Sequence, residues 1–279
     1  MTRREALQHA RAALAGHSPS PDADAQRLLL HAAKLERTAL FTDPDAAFNA
    51  ITELNALLKR RRTGEPVAYL TGQQGFHSLT LAVTADTLIP RPETEQLVDL
   101  ALTCIADRPR PRILDLGTGS GAIALAIARQ RPDAKLTATD RSAAALAIAQ
   151  RNADRHGLTA IQFLSGHWFN ALPAQHFDLI VANPPYIPQH DRHLNQGDVA
   201  HEPRQALIGG ADGLDDLRTI VAGAPAFLST PGWLIVEHGF DQGPAVTALF
   251  AQAGFKHIAS HRDLAGWPRN VLGRLDTPR

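Results

Sequence analysis

The sequence predicts an α/β protein with a doubly wound, mostly parallel sheet, preceded by a small helical bundle and joined to it by a β-hairpin. From residue 112 onward, apolar runs of strand length alternate with helical patterns, which is typical of parallel βαβ units. Before residue 63, apolar residues recur only at helical spacing. Between these regions, residues 73–89 alternate in the manner of hairpin strands.

The composition is that of a globular protein, with 44% hydrophobic and 20% charged residues among 279. The chain carries 28 basic and 28 acidic residues, so it lacks the basic surplus common in nucleic-acid binders, and no direct nucleic-acid partner is expected. It has no apolar run of about 18 residues, and Cys104 is its only cysteine. Because residues 1–6 contain no apolar core, we expect no signal peptide. We expect a cytoplasmic monomer with no membrane partner.

The helical bundle is predicted over residues 1–73. Its first helix covers Thr2–Ala15, and Asp22 is a candidate cap for the second. Asp43-Pro44 should begin a third helix, since proline suits a first helical position. That helix should end at the basic run Lys59–Arg62, which complements the helix dipole.

The second part of the chain is predicted as a hairpin linker, residues 74–90, followed by the sheet domain, residues 91–279. His77-Ser78 is the expected hairpin turn. Pro92 should lie in the first turn of a helix. The strands are expected in this order: Arg112–Leu116, Lys135–Thr139, Ile161–Leu164, Phe177–Ala182, Trp233–Glu237, Lys256–Ser260 and an antiparallel Val271–Leu275. Residues 187–213 show little regular pattern, which suggests a lid or binding loop.

A glycine-rich turn follows the first of these strands and consists of Gly117, Thr118, Gly119, Ser120 and Gly121. Glycines let a ligand approach the backbone closely at the start of a helix. Asp140, about twenty residues later, ends the next strand, where a carboxylate can accept hydrogen bonds from ribose hydroxyls. The turn therefore predicts a nucleoside ligand. By itself it does not distinguish a nicotinamide cofactor from S-adenosylmethionine.

The sequence Asn183-Pro184-Pro185-Tyr186 follows the strand Phe177–Ala182 and is the candidate catalytic motif. Asn183 offers a side-chain carbonyl, and Pro184 offers its backbone carbonyl. The two prolines restrict the local backbone and so hold both acceptors in place. Two such acceptors can hold the hydrogens of a planar NH2 group and direct its nitrogen. Tyr186 adds a flat face against which an amide or a base could stack.

Together, the turn and the Asn-Pro-Pro-Tyr motif resemble the class I amino-methyltransferases. More closely, the chain resembles the release factor glutamine methyltransferases, the PrmC/HemK family, over nearly its whole length. The motifs that carry the resemblance are residues 64–72, 89–95, 113–121, Glu202-Pro203 and 233–239, the last ending in Glu237-His238-Gly239. Two positions depart from the family pattern: His167 stands where an acidic residue is usual, and Asn270 where a β-branched residue is common.

The resemblance implies a seven-stranded methyltransferase sheet that binds S-adenosylmethionine and releases S-adenosylhomocysteine. Gly117–Gly121 and Asp140 would form the cofactor cradle, with Trp168 beside the adenine and Asn183 also near the cofactor. Residues 183–186 would hold the acceptor NH2. It further implies N5-methylation of the glutamine in the Gly-Gly-Gln motif of class I peptide chain release factors, recognised through the N-terminal bundle.

The residues alone are compatible with two other functions. The same tetrapeptide could grip the exocyclic NH2 of adenine in a nucleic-acid methyltransferase, although base flipping needs a large recognition surface. A non-catalytic, cofactor-sensing protein could also use this fold. No metal site is expected, since His190-Asp191-x-His193 is typical of a solvated loop surface and no His-Glu-x-x-His pattern occurs.

Overall fold

The structure is a computed structural model that describes residues 1–276 and divides them into two compact units. The helical unit contains Met1–Gln73 together with Asn195–His201. The sheet unit contains Gln74–Leu194 and the described residues from Glu202 onward. No helix in residues 1–276 is long and apolar enough to cross a membrane.

The helical unit packs short helices around one apolar core that includes Leu14, Leu28 and Leu54. Its helices are α1 (Arg3–Leu14), α2 (Pro21–Ala33), α3 (Ala39–Thr42), α4 (Ile51–Arg62) and α5 (Val67–Thr71). Thr2 and Glu5 form a capping box at the start of α1.

Two helix starts differ from the sequence prediction. Ser20 precedes α2, so Asp22 lies in the first turn and is not the cap. The helix predicted from Asp43 begins only at Ile51. Instead, the stretch before it supplies carbonyls to the first turn of α1, whose amide groups lack partners within the helix. The Arg4 N–H donates to the Pro44 carbonyl at 2.9 Å, and the Arg3 N–H donates to the Ala46 carbonyl.

A buried arginine ties the segment Asn195–His201 into the helical unit. The Arg61 side chain, 4% exposed, donates from Nε to Asp24 Oδ2 at 2.7 Å. Its Nη1 donates to Asp198 Oδ1, also at 2.7 Å. A buried guanidinium needs such partners because desolvating an unpaired charge is costly. This ion pair explains why seven residues far along the chain belong to the N-terminal unit.

The sheet unit starts with a hairpin that forms its own two-stranded sheet and turns at His77-Ser78, as predicted. Its strands are β1 (Gln73–Phe76), β2 (Leu79–Ala82), β3 (Arg112–Leu116), β4 (Lys135–Asp140), β5 (Gln162–Ser165), β6 (Phe177–Ala182), β7 (Leu228–Glu237), β8 (Lys256–Arg262) and β9 (Pro268–Leu275). Its helices are α6 (Pro92–Cys104), α7 (Ala122–Gln130), α8 (Ala143–His156), α9 (Asp215–Gly223) and α10 (Gly243–Gln252).

In the described part of the chain, the main sheet has seven strands in the order β5-β4-β3-β6-β7-β9-β8. The strands β3 to β7 are parallel, whereas β9 is antiparallel to both β7 and β8, which confirms the predicted fold class and the antiparallel final strand. The strand order reverses between β3 and β6. In an open α/β sheet, this switch point is where a crevice forms beyond the carboxyl ends of the strands.

The register brings the ends of the central strands to one edge. Leu116, the last residue of β3, pairs with Thr139 of β4 and with Ala182 of β6. The glycine turn, Asp140 and Asn183 therefore emerge side by side. The loop after β6 contains short 3-10 helices at Arg192–Asn195, Gly197–His201 and Arg204–Ala206, so it is more ordered than the sequence indicates.

Candidate active site

A cleft lies at the switch point, within the sheet unit. The predicted site residues that line it are Gly117, Gly119, Asp140, Trp168, Asn183 and Pro185. The sequence reasoning did not single out several other lining residues, among them Asp86, Thr87, Leu88 and Asp216. These come from the segment before α6 and from the start of α9, far from the recognised motifs.

The glycine turn has a backbone that other residues would strain. Gly117 has φ +72°, and a Cβ there would come within 3.1 Å of the Trp168 ring. Gly121 has φ +85°, and its Cβ would approach the Leu125 side chain to 2.9 Å. Glycine at these positions lets the turn pass close to the indole and lets α7 begin directly beneath the cleft.

Asp140 is anchored to the glycine turn through both of its carboxylate oxygens. Oδ2 accepts from the Gly119 N–H at 2.9 Å, and Oδ1 accepts from the Ser142 N–H at 2.8 Å. The carboxylate is half-buried and lines the cleft. Each oxygen keeps a second lone pair, so the fixed carboxylate can still accept hydrogen bonds from a pair of hydroxyls.

Thr118 and Ser120 are buried and hold the turn without lining the cleft. Thr118 donates its hydroxyl to Asp115 Oδ2 at 2.7 Å, and the Ala124 N–H donates to the same oxygen. The Ser120 carbonyl accepts from the Asn152 side chain. Asp115 itself is fully buried, and this burial raises its pKa to about 7, with a smaller contribution from the charge of Asp140.

Asp115→Asn should therefore make stability less dependent on pH. A carboxyl whose pKa is raised by folding stabilises the protein below its unfolded pKa, and this contribution is lost as pH rises through about 7. The free energy of unfolding, measured by urea denaturation from pH 4 to 8, should decline by about 1–3 kcal/mol less in the variant. The exposed Asp107→Asn corrects for the change in net charge. Equal declines in the wild type and Asp115→Asn would contradict this expectation.

Trp168 forms one wall of the cleft. Its side chain is buried against Gly117, and its Nε1 donates to Asp216 Oδ1 at 3.1 Å. Its backbone has φ +50°, a conformation that costs a non-glycine residue roughly 1 kcal/mol or more. The indole is thus held at one orientation from both sides. His167, beside it, also lines the cleft.

The Asn-Pro-Pro-Tyr motif starts directly after β6. Asn183 is half-buried and donates from Nδ2 to Thr94 Oγ1 at 3.2 Å. Pro184 is buried, whereas Pro185 lines the cleft. Tyr186 turns away from the lining and donates its hydroxyl to Glu237 Oε1 at 3.3 Å, while its carbonyl accepts from Gln242.

Comparison with known proteins assigns this arrangement to a family. A family model described as "Methyltransferase small domain" matches residues 95–206, and one described as "PrmC N-terminal domain" matches residues 5–72. A release factor glutamine methyltransferase of Xylella fastidiosa is 53% identical over 90% of this chain and 92% of its own length. The chain belongs to the release factor glutamine methyltransferase family. The relative of that name from Pseudomonas aeruginosa is 49% identical, over 92% of this chain and 94% of its own length.

This membership confirms the predicted family and enzyme class. A solved methyltransferase from Pyrococcus furiosus, at 16% identity and a TM-score of 0.56, covers 80% of this chain and 98% of that one. At this identity the likeness shows a shared methyltransferase fold. Within residues 1–276, no group of three or more His, Cys, Asp or Glu side chains is arranged to hold a metal ion.

Two acidic residues of this methyltransferase, Glu202 and Glu237, are buried in the sheet unit. The carboxylate of Glu202 accepts from the Ile89 N–H at 3.0 Å and from Arg91, so it ties the loop after β6 to the segment before α6. Glu237, 1% exposed, ends β7. Burial raises the pKa of Glu237 to about 7, against the opposing effects of Thr94, Arg269 and Tyr186.

Proposed function

We propose that this chain transfers a methyl group from S-adenosylmethionine to the side-chain amide nitrogen, N5, of a glutamine in class I peptide chain release factors. The glutamine is that of the Gly-Gly-Gln motif, and the second product is S-adenosylhomocysteine. The names of its relatives support the substrate. The observation that carries the chemistry is the orientation of Asn183: its NH2 group donates to Thr94, which leaves its carbonyl oxygen for the acceptor.

The cleft residues fit the proposed methyl donor. The glycine turn leaves room for close approach, Asp140 presents fixed carboxylate oxygens suited to ribose hydroxyls, and Trp168 offers a flat apolar wall suited to adenine. When bound, S-adenosylmethionine supplies an electrophilic methyl group on a positively charged sulfur. The polar and apolar sides of the cleft match a nucleoside of this kind.

The chain's contribution to the reaction is positioning. An amide nitrogen is a poor nucleophile because its lone pair is delocalised. The Asn183 Oδ1 and the Pro184 carbonyl would each accept one hydrogen of the glutamine NH2, which directs the nitrogen and favours its pyramidal form. Orientation of this sort can lower a barrier by roughly 7–11 kcal/mol in favourable cases. The proton on nitrogen becomes acidic once the methyl group is attached, so no strong base is needed beforehand.

The proposed function is tested with a methyl-labelled donor and three acceptors. Intact release factor should take up label, whereas the same factor with its Gly-Gly-Gln glutamine replaced by alanine should not. DNA, the third acceptor, carries adenine NH2 groups that the same motif could grip. Label on DNA, or label on the release factor lacking that glutamine, would contradict the proposal.

We also propose that the helical unit recognises the release factor outside the glutamine loop, and that the chain works as a cytoplasmic monomer. The exposed Phe41, 71% accessible on the helical unit, supports a recognition role, because large exposed aromatic side chains often anchor protein interfaces. The part that release factors play in translation supports the cytoplasmic location. Light scattering would test the monomeric state.

Phe41→Asp should raise KM for intact release factor by about tenfold, because an exposed apolar anchor is replaced by a charge. The KM for a short Gly-Gly-Gln peptide should stay unchanged, since such a peptide lacks the release-factor surface that the helical unit is proposed to recognise. Steady-state methylation of both acceptors gives the two constants. An equal KM for intact factor in the variant and the wild type would remove Phe41 from the interface.

A further inference from the structure

We propose that Thr94 and Glu237 are positioning residues, which hold the Asn183 amide with its nitrogen inward and its oxygen toward the acceptor glutamine. This role rests on the proposed function, because it concerns the orientation of the Asn183 side-chain amide. Neither residue lines the cleft. Each would act through Asn183 or Tyr186.

Thr94 lies in the first turn of α6, and its side chain is only 4% exposed. Its Oγ1 accepts the hydrogen bond from Asn183 Nδ2 at 3.2 Å. A hydroxyl can also donate one proton, and the Thr94 hydroxyl favours the ionised form of the nearby Glu237 carboxyl. Thr94 thus links the end of β7 to the start of the Asn-Pro-Pro-Tyr motif.

Glu237 determines which groups donate and which accept in this set of contacts. When Glu237 is ionised, its carboxylate only accepts hydrogen bonds, so it favours Thr94 as a donor and leaves the Thr94 lone pairs facing Asn183. An Asn183 amide rotated by half a turn would place its oxygen against Oγ1, an acceptor against an acceptor. The same carboxylate accepts the Tyr186 hydroxyl at 3.3 Å. One buried acid therefore orients two residues of the motif.

The charges around Glu237 support this role. Burial raises its pKa to about 7, while hydrogen bonds from Thr94 and Tyr186 and the positive charge of Arg269 favour the ionised form, and Glu93 opposes it. One of its oxygens, Oε2, is buried with no well-formed hydrogen bond in the described structure. Burying a carboxylate costs desolvation free energy, so an apolar side chain would suit this position better if only packing were needed.

Kinetics on the full chain provide the first test, with release factor as acceptor. Thr94→Val keeps the shape of the side chain and removes the hydroxyl, so kcat should fall about 10- to 100-fold with the KM for the methyl donor unchanged. Thr94→Ser restores the hydroxyl and should return kcat to within about threefold of the wild type. Thr103→Val, an exposed position on the same helix, is the matched control. Glu237→Gln, with nearly unchanged volume, should lower kcat in the same way.

A spectroscopic measurement tests the inference without any acceptor. The side-chain NH2 signal of Asn183 in a ¹⁵N–¹H spectrum is assigned by its loss in Asn183→Ala. It should shift and exchange faster with solvent in Thr94→Val and Glu237→Gln, and match the wild type in Thr94→Ser and Thr103→Val. An unchanged signal in folded Thr94→Val or Glu237→Gln would overturn the inference. Failure of the proposed function would instead appear as a wild-type chain that leaves release factor unlabelled.

Discussion

Asn183→Ala should lower kcat for release factor methylation by about 10³-fold, which is the largest effect we expect from a single substitution. The reason is that, in the proposed mechanism, the Asn183 amide oxygen holds the acceptor NH2 and directs its nitrogen, while the Asn183 NH2 donates to Thr94. Affinity for S-adenosylhomocysteine, measured by calorimetry, should change by no more than about threefold, because the loss concerns orientation of the acceptor.

Two further variants sharpen this test. Asn183→Asp keeps a side-chain oxygen but removes the NH2 group that donates a hydrogen bond to Thr94. Its kcat should therefore also be severely reduced. Asn170→Ala changes an exposed asparagine and should behave as the wild type. Near-normal turnover in Asn183→Ala would remove the clamp from the mechanism and return the Asn-Pro-Pro-Tyr motif to the role of a rigid turn.

Asp140→Ala should weaken the binding of S-adenosylhomocysteine by about 10- to 100-fold, since it removes a charged hydrogen-bond acceptor from the cleft. The carboxylate also holds the Gly119 and Ser142 amides, so the turn itself loses an anchor. Calorimetric titration gives the dissociation constant directly. The effect should appear as weaker binding whether or not release factor is present.

Two control variants accompany Asp140→Ala. Asp140→Asn keeps one oxygen acceptor and should lose less affinity than Asp140→Ala, while the exposed Asp154→Ala should bind as the wild type does. Unchanged affinity in Asp140→Ala would exclude this carboxylate from the ligand site. A loss of kcat in the Asn183 variants and a loss of affinity in the Asp140 variants would thus distinguish the proposed acceptor-holding role from the proposed cofactor-binding role.

The local parts of the site were predictable from sequence because they lie next to one another along the chain. The strand Phe177–Ala182 was predicted with its observed bounds, since its apolar run ends abruptly at Asn183. The same holds for Arg112–Leu116 and the glycine turn after it. Parallel strands then bring these separate motifs to one edge, as the alternation of strands and helices indicates.

Long-range partners could not be predicted in this way. Thr94 lies 89 positions before Asn183, and Glu237 lies 51 after Tyr186, so no spacing rule connects them. The Glu-His-Gly motif contributed to the family resemblance, and the predicted strand Trp233–Glu237 indicated only that Glu237 ends a strand. The late start of α4 has a similar origin, because the backbone before it bonds to residues at the N-terminus. Tertiary contacts outweighed local propensity in each case.

The segment Asn195–His201 has a consequence for how this protein can be divided or recombined. Because it belongs to the helical unit while its flanking residues belong to the sheet unit, the backbone joins the two units at three points. A fragment ending at Gln73 would lack Asp198, which pairs with the buried Arg61. Grafting the first 73 residues onto another enzyme would transplant an incomplete module, so an exchange that preserves the unit must carry both pieces.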